Sequence, residues 1–302
     1  MMETPAFLKP IQSYPGEIVQ FIERIPGVDV TGDRQTVLER LEPYHKAEVE
    51  ALGWRWKDLR RAEQVHGTRV ALVGDIGSNY PVEGVDGLLC SGVSDCVLAI
   101  YVADCAAVWL YDKENCHRAL IHSGKAGTAG NIISNTIKSM KKFLGVDPAN
   151  LIAVISPCIR PPHYEEDIPT AIKAQLLNEG VLEEQIHDSG LDTAADTRRF
   201  YSYRMEKGQT GRMLALFGLT LVALWALNKI VPQSFMPQED QGYFTVELEL
   251  PEGATLERTR RVTDRAMKYL MSLEDVEYVL NVTGSSPVSY THLRAHETLS
   301  DL

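Results

Sequence analysis

The chain has 302 residues, 44% of them hydrophobic and 24% charged, with a formal net charge of -11. That is enough for one large or two modest domains of ordinary soluble composition. An acidic surface repels phosphate backbones, so nucleic acid is not an expected partner. The five cysteines are Cys90, Cys96, Cys105, Cys116 and Cys158, an odd number at irregular spacing with no CxxC pair. This argues against a secreted disulfide framework, a zinc ribbon or a thioredoxin motif. The first residues carry no basic-then-apolar signal pattern, so a reducing, cytoplasmic setting is expected.

From about 21 to 219 short apolar runs alternate with helical patterns. The runs at 70–73, 96–102, 106–111 and 119–122 read as strands. Residues 131–144 read as a helix, with Ile132, Ile133, Ile137, Met140 and Leu144 near helical spacing and Lys138, Lys141 and Lys142 mostly on the wet face. Gly145 stops it. A continuous apolar strand is expected at 151–155, and a further helix at 168–177. Strands mixed with helices imply an α/β or α+β domain with a well-covered sheet.

A second stretch begins near Met213. Residues 213–227 carry no charge, but a bilayer-spanning helix needs ~20 such residues, so the run is short for one. A turn-rich connection occupies 231–242. Phe244, Val246, Leu248 and Leu250 then alternate with Thr245, Glu247 and Glu249, which predicts a half-buried strand. An amphipathic helix is expected over 256–271, opened by Thr255, and a second strand over 276–282. This β-α-β unit is too small to bury a core alone. Residues 288–302 show no periodicity and read as an unstructured tail.

Three short motifs in the first stretch carry candidate chemistry. Gln64-Val65-His66-Gly67 precedes a strand, Ala103-Asp104-Cys105 lies between two strands, and Ile121-His122-Ser123-Gly124 ends one. Two imidazoles and a thiolate suit a borderline-soft metal such as zinc. Three protein ligands leave a fourth position for water or substrate, the pattern of a catalytic zinc site. On residue types alone the signal is weak, because the donors are far apart in sequence and a lone His or Cys is more often structural. Gln64 and Asp104 flank ligands and are candidates to orient an imidazole or handle a proton, or else to cap their loops. Ser123 and Lys125 stand at the start of an expected helix, where backbone N–H groups favour an anion, and the alternative for Lys125 is a solvated cation. Arg204 and Arg212 are candidates for phosphate or for surface ion pairs. Cys158 reads as a small buried residue. His163 decorates a loop, and His45, His117 and His187 sit in polar segments without a role.

Taken in order, QVHG, DGLLC near Asp86, LAIYVADCAAVWLYD, IHSGKAGTAGNI, SPCI with Tyr164-Glu165, and FYSYR with TGRMLALFGL resemble the laccase-domain family. This family is also called the polyphenol oxidase or purine nucleoside phosphorylase family. The resemblance runs from about 21 to 219 and implies an α+β mixed-sheet sandwich for a domain at 1–219. It implies a zinc site from His66, Cys105 and His122, with Cys105, Asp104 and Gln64 as catalytic candidates and Ser123, Lys125 and Arg204 at the substrate. It also implies phosphorolysis of adenosine, inosine, guanosine and methylthioadenosine with inorganic phosphate, and deamination of adenosine. The laccase label implies copper instead. The sequence speaks against it, since no local His-Cys-His cluster or axial Met arrangement is visible.

The chain also departs from the family. His122-Ser123-Gly124-Lys125-Ala126-Gly127 stands where the family usually reads H-A-G-W-R-G, so a lysine point charge lies one residue before the usual arginine fork. Ala106 replaces the usual proline after the cysteine, and the usual serine-leucine-asparagine loop near the N-terminus is missing.

The stretch 213–287 resembles a fragment of a resistance-nodulation-division efflux transporter, on P-x-E-D-Q-G and L-P-E-G-A-T-L-E-R. There it would supply the end of a hydrophobic helix followed by a partial β-α-β unit. Contact with a membrane is expected only through 213–231. Residues 288–302 look like translated sequencing adapter. The chain therefore reads as 1–219, 220–287 and 288–302, a chimeric frame with its seam between Met213 and Thr220, and the alternative functions are transport, a metal-binding domain without turnover, or a copper polyphenol oxidase.

Overall fold

Strand β6 (Ala106–Asp112) is buried along its whole length, and its side chains divide between two cores. Ala107, Trp109 and Tyr111 enter one, and Ala106, Val108 and Leu110 enter the other. A strand buried on both faces is a continuous apolar run rather than an alternating one. The computed structural model describes residues 4–74, 81–94, 96–219 and 254–273, with Val246, Leu248, Leu250, Val276 and Val279 singly. The chain divides into two units, Met1–Gln233 and Ser234–Leu302.

The first unit contains two mixed sheets. One has the order β1-β10-β5-β2 and is made of β1 (Glu17–Ile22), β10 (Met213–Leu219), β5 (Val97–Val102) and β2 (Leu59–Arg61). The other has the order β3-β4-β7-β6-β8-β9. Its further strands are β3 (Val70–Val73), β4 (Gly87–Cys90), β7 (Arg118–Ser123), β8 (Leu151–Ile155) and β9 (Ile186–Asp188). Phe21, Leu98, Ile100 and Phe217 from the first sheet meet Leu88, Trp109, Tyr111 and Leu120 from the second. The Trp109 indole N–H donates to Leu216 O at 3.0 Å, joining the two sheets.

Helices cover the outside. After the short α1 (Lys9–Gln12) comes α2 (Arg34–Ala51). The five-residue α3 (Lys125–Ala129) precedes α4 (Ile132–Leu144) and α5 (Ile168–Asn178). Ile132, Ile133, Ile137 and Met140 of α4 and Ile168, Ile172 and Leu176 of α5 pack on the second sheet. Gly145 closes α4 at φ 70, a left-handed position that costs glycine little. Val49, Trp54 and Leu59 cover the outer face of the first sheet with Ala99, Leu214 and Leu216.

The strands and helices expected between 70 and 178 are present within two residues of their expected ends. Helix α2 is not among the expected elements. Its buried residues Val37, Leu41, His45 and Val49 recur every four positions, but the stripe includes a histidine, and Pro43 lies inside the helix. The apolar run 213–227 begins as a strand of the first unit, and the hydrophobic helix expected from 220 onward lies outside the described residues. Met213–Leu219 pairs with β1 on one side and β5 on the other, which a helix could not do. A continuous apolar run does not distinguish a buried strand from a buried helix. Residues 220–245 lie outside the described residues. Among the described residues no helix is long and apolar enough to cross a membrane.

In the second unit α6 (Leu256–Leu270) forms where expected, with Thr255 Oγ1 accepting from Arg258 N at 3.4 Å. The strands expected at 244–250 and 276–282 fall largely outside the described residues, as does the tail 288–302.

His45 is fully buried, and neither ring nitrogen has a hydrogen-bond partner among the described residues. Burial pushes its pKa down to about 4. The folded pKa lies below the unfolded value, so the fold favours the neutral ring. Its stability is complete above about pH 6.5 and falls as pH drops toward 4, by on the order of 3 kcal/mol. His45→Leu is expected to shrink the loss of Tm between pH 7 and pH 4.5. Equal losses in both proteins would refute the assignment.

Candidate metal centre

The β6–β7 hairpin brings two of the three donors together. Ala107 lies opposite His122 and Ala106 opposite Ser123. One step further Cys105 faces Gly124, where an added Cβ would stand 2.6 Å from Cys105 Sγ. Only glycine leaves room for the sulfur there. On the other side of β7, Gly87 of β4 pairs with Ile121, which sets Asp86 beside His122. His122 Nδ1 lies 2.8 Å from Asp86 Oδ1, and His122 N donates to Asp86 O at 2.7 Å.

The third donor arrives on a loop. His66 N donates to Asp86 Oδ1 at 2.9 Å and Gly67 N to Oδ2 at 2.7 Å. His66 itself sits at φ 59, in the left-handed region that non-glycine residues seldom adopt. The two hydrogen bonds to Asp86 hold it there. The His66 and His122 rings lie edge to face with centroids 4.8 Å apart. The ligand atoms of His66, Cys105 and His122 all fall within 4.8 Å of one another, the one such group among the described residues. Zinc ligands at ordinary bond lengths stand roughly 3.3–3.6 Å apart, so a small inward movement completes the fit. His66 is exposed, which leaves the group reachable from solvent.

The charge states suit a cation. Burial pushes the Cys105 thiol up, but hydrogen bonds from His122 and His66 and their charges bring it down to about 6. Burial pushes His122 down, but Asp86 and Cys105 hold its proton and lift it to about 9. Burial likewise pushes the Asp86 carboxyl up. Its bonds from His122, Gly67 and His66 hold it below the usual carboxylate range. At neutral pH the row is therefore carboxylate, imidazolium and thiolate. A thiolate is the ligating form of cysteine. Two imidazoles and a thiolate also make up the trigonal set of a blue-copper centre, so the sequence-based objection to copper, that no His-Cys-His cluster is visible, falls away.

The other predicted site residues divide sharply. Gln64 does not touch an imidazole: its side chain clasps Tyr101, donating to O and accepting from N at 2.9 Å. Both carboxylate oxygens of Asp104 are taken, one by Thr193 Oγ1 and one by Arg204 N, each at 2.7 Å. Both residues hold loops, and the part of orienting His122 belongs to Asp86. Ser123 is fully buried with its hydroxyl 2.7 Å from Thr128 Oγ1, so it does not face a substrate. Lys125 and Arg204 do share a surface: the Tyr164 ring centroid is 6.0 Å from Lys125 Nζ and 5.4 Å from Arg204 Cζ. Arg212 donates to Thr210 O and Gly211 O, at 3.1 and 2.8 Å. Asp86 and Gly124 are not singled out by sequence reasoning as individual residues. The available signal for Asp86 is a lone carboxylate heading the buried run Gly87–Cys90.

A family model described as multi-copper polyphenol oxidoreductase laccase matches residues 27–166 and 163–220. The chain belongs to this laccase-domain family. A purine nucleoside phosphorylase of Deinococcus radiodurans is 33% identical over 192 residues, covering 56% of this chain and 73% of that protein. The crystal structure of YlmD from Geobacillus stearothermophilus has the same fold, with a TM-score of 0.61 at 24% identity, covering 68% of this chain and 92% of that one. The multidrug export protein AcrF of Escherichia coli is 42% identical over 81 residues, covering 26% of this chain and 8% of that protein. Laccase-domain membership accounts for the sandwich, and a stretch of 81 residues is similar to a small part of AcrF.

Because Asp86 holds the His66 backbone and the His122 ring, removing it should weaken the centre without removing a ligand. Asp86→Ala is expected to lower zinc affinity by about 10- to 100-fold, measured by competition with a chromophoric chelator. Unchanged affinity in a folded variant would show that the ligands hold themselves.

Proposed function

We propose that residues 1–219 form a zinc-dependent purine nucleoside phosphorylase that also deaminates adenosine. The observation that carries this reading is the convergence of His66, Cys105 and His122, with ligand atoms within 4.8 Å, around an accessible point. The relative from Deinococcus radiodurans bears the phosphorylase name, and the shared fold supports extending it to this chain. Adenosine, inosine, guanosine and methylthioadenosine are the proposed substrates, with inorganic phosphate as the second.

His66, Cys105 and His122 would hold the metal, and its binding would require loss of the His122 proton on the side of Cys105. Bound zinc supplies a Lewis acid and brings its water to a pKa of ~7, the requirement for deamination at neutral pH. Asp86 fixes the His122 tautomer by accepting from Nδ1, which directs Nε2 toward the centre. Lys125 and Arg204, on either side of Tyr164, supply positive charge at the rim where a phosphate would be held. In phosphorolysis phosphate oxygen bonds to the ribose carbon as the purine leaves with the bonding electron pair and takes up a proton. The cations position the attacking oxygen, and the rim orients the nucleoside. Zinc is favoured over copper because both proposed reactions transfer groups without transferring electrons. The five cysteines are all free thiols, which suits a reducing, cytoplasmic compartment.

The remaining residues belong to a different reading. We infer that 220–287 are a transporter-derived fragment and 288–302 an unrelated tail. Strand β10 pairs with β1 from Leu214 through Leu219, so the sheet uses the chain to that point. This supports a seam at the Thr220 end of the expected interval. A stretch matching 8% of AcrF carries no transport cycle.

The experiment is incubation of the full chain, and of a fragment ending at Leu219, with adenosine and phosphate. Adenine and ribose 1-phosphate are expected from both, with inosine as the deamination product. Cys105→Ala is expected to lose zinc by metal analysis and to reduce both activities to background. Full metal content with normal turnover in that variant would refute the assignment.

A further inference from the structure

Glu165 lies in the turn that leads into α5, and its single carboxylate faces both rim cations. Oε1 is 3.5 Å from Lys125 Nζ, and Oε2 is 3.2 Å from Arg204 Nη2. A second carboxylate, Glu166, is 3.1 Å from Lys125 Nζ. The cations are anchored separately from these acids. Lys125 directly follows the glycine that abuts Cys105 Sγ, and Arg204 N is bonded to the Asp104 carboxylate. Two cations facing two carboxylates leave the rim with no net charge. An arriving anion gains from Lys125 and Arg204 only to the extent that a carboxylate gives way.

We propose that Glu165 is a built-in stand-in for phosphate, a carboxylate latch that fills the Lys125–Arg204 seat until the substrate anion displaces it. This rests on the phosphorylase reading, since phosphate is the anion concerned. One oxygen on each cation is the arrangement two phosphate oxygens would adopt. The latch is built to open. Lys125, Glu165 and Arg204 are 51%, 50% and 55% exposed, and ion pairs so exposed are weak. The apparent dissociation constant for phosphate is then the intrinsic one divided by the fraction of open latch. The latch keeps two cations from holding any passing anion and sets the phosphate concentration at which the enzyme responds.

The test uses the full chain loaded with zinc and reads phosphate separately from nucleoside. Glu165→Gln is expected to lower KM for phosphate by about three- to tenfold, with KM for adenosine unmoved. Calorimetric titration with inorganic phosphate alone should show the same tightening. Glu165→Ala should repeat it, and Glu166→Gln, which touches Lys125 alone, should give a smaller effect. Lys125→Ala and Arg204→Ala should weaken phosphate. If those two weaken phosphate while Glu165→Gln leaves it unchanged or weaker, the latch is overturned and the phosphorylase reading stands. If phosphate binds equally to every variant, the seat lies elsewhere and the latch falls with it. A wild-type protein that neither binds phosphate nor cleaves a nucleoside overturns both.

Discussion

The site depends on one buried carboxylate. Asp86 is inaccessible to solvent, and an ionised group in that position is costly unless it is paired and hydrogen-bonded. Here it accepts from two consecutive backbone N–H groups and from an imidazole. Each bond fixes something different. The backbone pair holds the loop at His66 in its left-handed turn, and the imidazole bond fixes the ring of His122. The β4–β7 register puts Asp86 in place, so strand pairing and ligand geometry are one constraint. Alternating charges then run from Asp86 through His122 to Cys105. A metal held by these residues would take the place of the His122 proton on the side of Cys105 and leave the bond from Nδ1 to Asp86 in place.

The sequence reveals the donors more readily than the group that organises them. His66, Cys105 and His122 each end or precede a run that reads as a strand, and strand ends are where loops converge. Their convergence requires tertiary pairing that no spacing encodes. Cys105 and His122 are 17 positions apart on a hairpin, but His66 comes from a separate loop whose backbone is held by Asp86. Asp86 carries no mark in sequence beyond being a carboxylate before a buried strand. Gln64 and Asp104 are drawn toward chemistry by adjacency, and the structure assigns their polar atoms to Tyr101, Thr193 and Arg204. Adjacency to a ligand along the chain is a poor guide where the backbone reverses at every step, as the positive φ values of Gln64, His66 and Asp104 record.

The same physics explains which elements of the fold are legible in the sequence and which are not. Helix α4 is legible because one face is apolar and the other is lysine-rich. Helix α2 is not, because its buried stripe is interrupted by His45. Strand β10 is the instructive case. Its residues enter the inter-sheet core and the outer core alternately, Met213, Ala215 and Phe217 on one side and Leu214 and Leu216 on the other. Both environments are apolar, so the alternation leaves no trace in composition. Joined to the uncharged residues after it, the strand reads as the start of a hydrophobic helix. Pairing with β1 and β5, and not hydropathy, identifies Met213–Leu219 as a strand.

The rim shows how a departure from the family pattern can be accommodated by charge rather than shape. A guanidinium offers a planar fork, whereas an ammonium is a point charge that accepts partners from several directions. Lys125 uses that freedom, meeting Glu165 and Glu166 while staying within reach of the Tyr164 ring. Arg204 provides the planar group from the opposite side, oriented by the bond between its own backbone and Asp104. A planar cation thus stands near Lys125, delivered from a different loop. Asp104, the residue preceding Cys105, accepts from the backbone of that loop, so the thiol and the guanidinium are carried by segments that share one carboxylate.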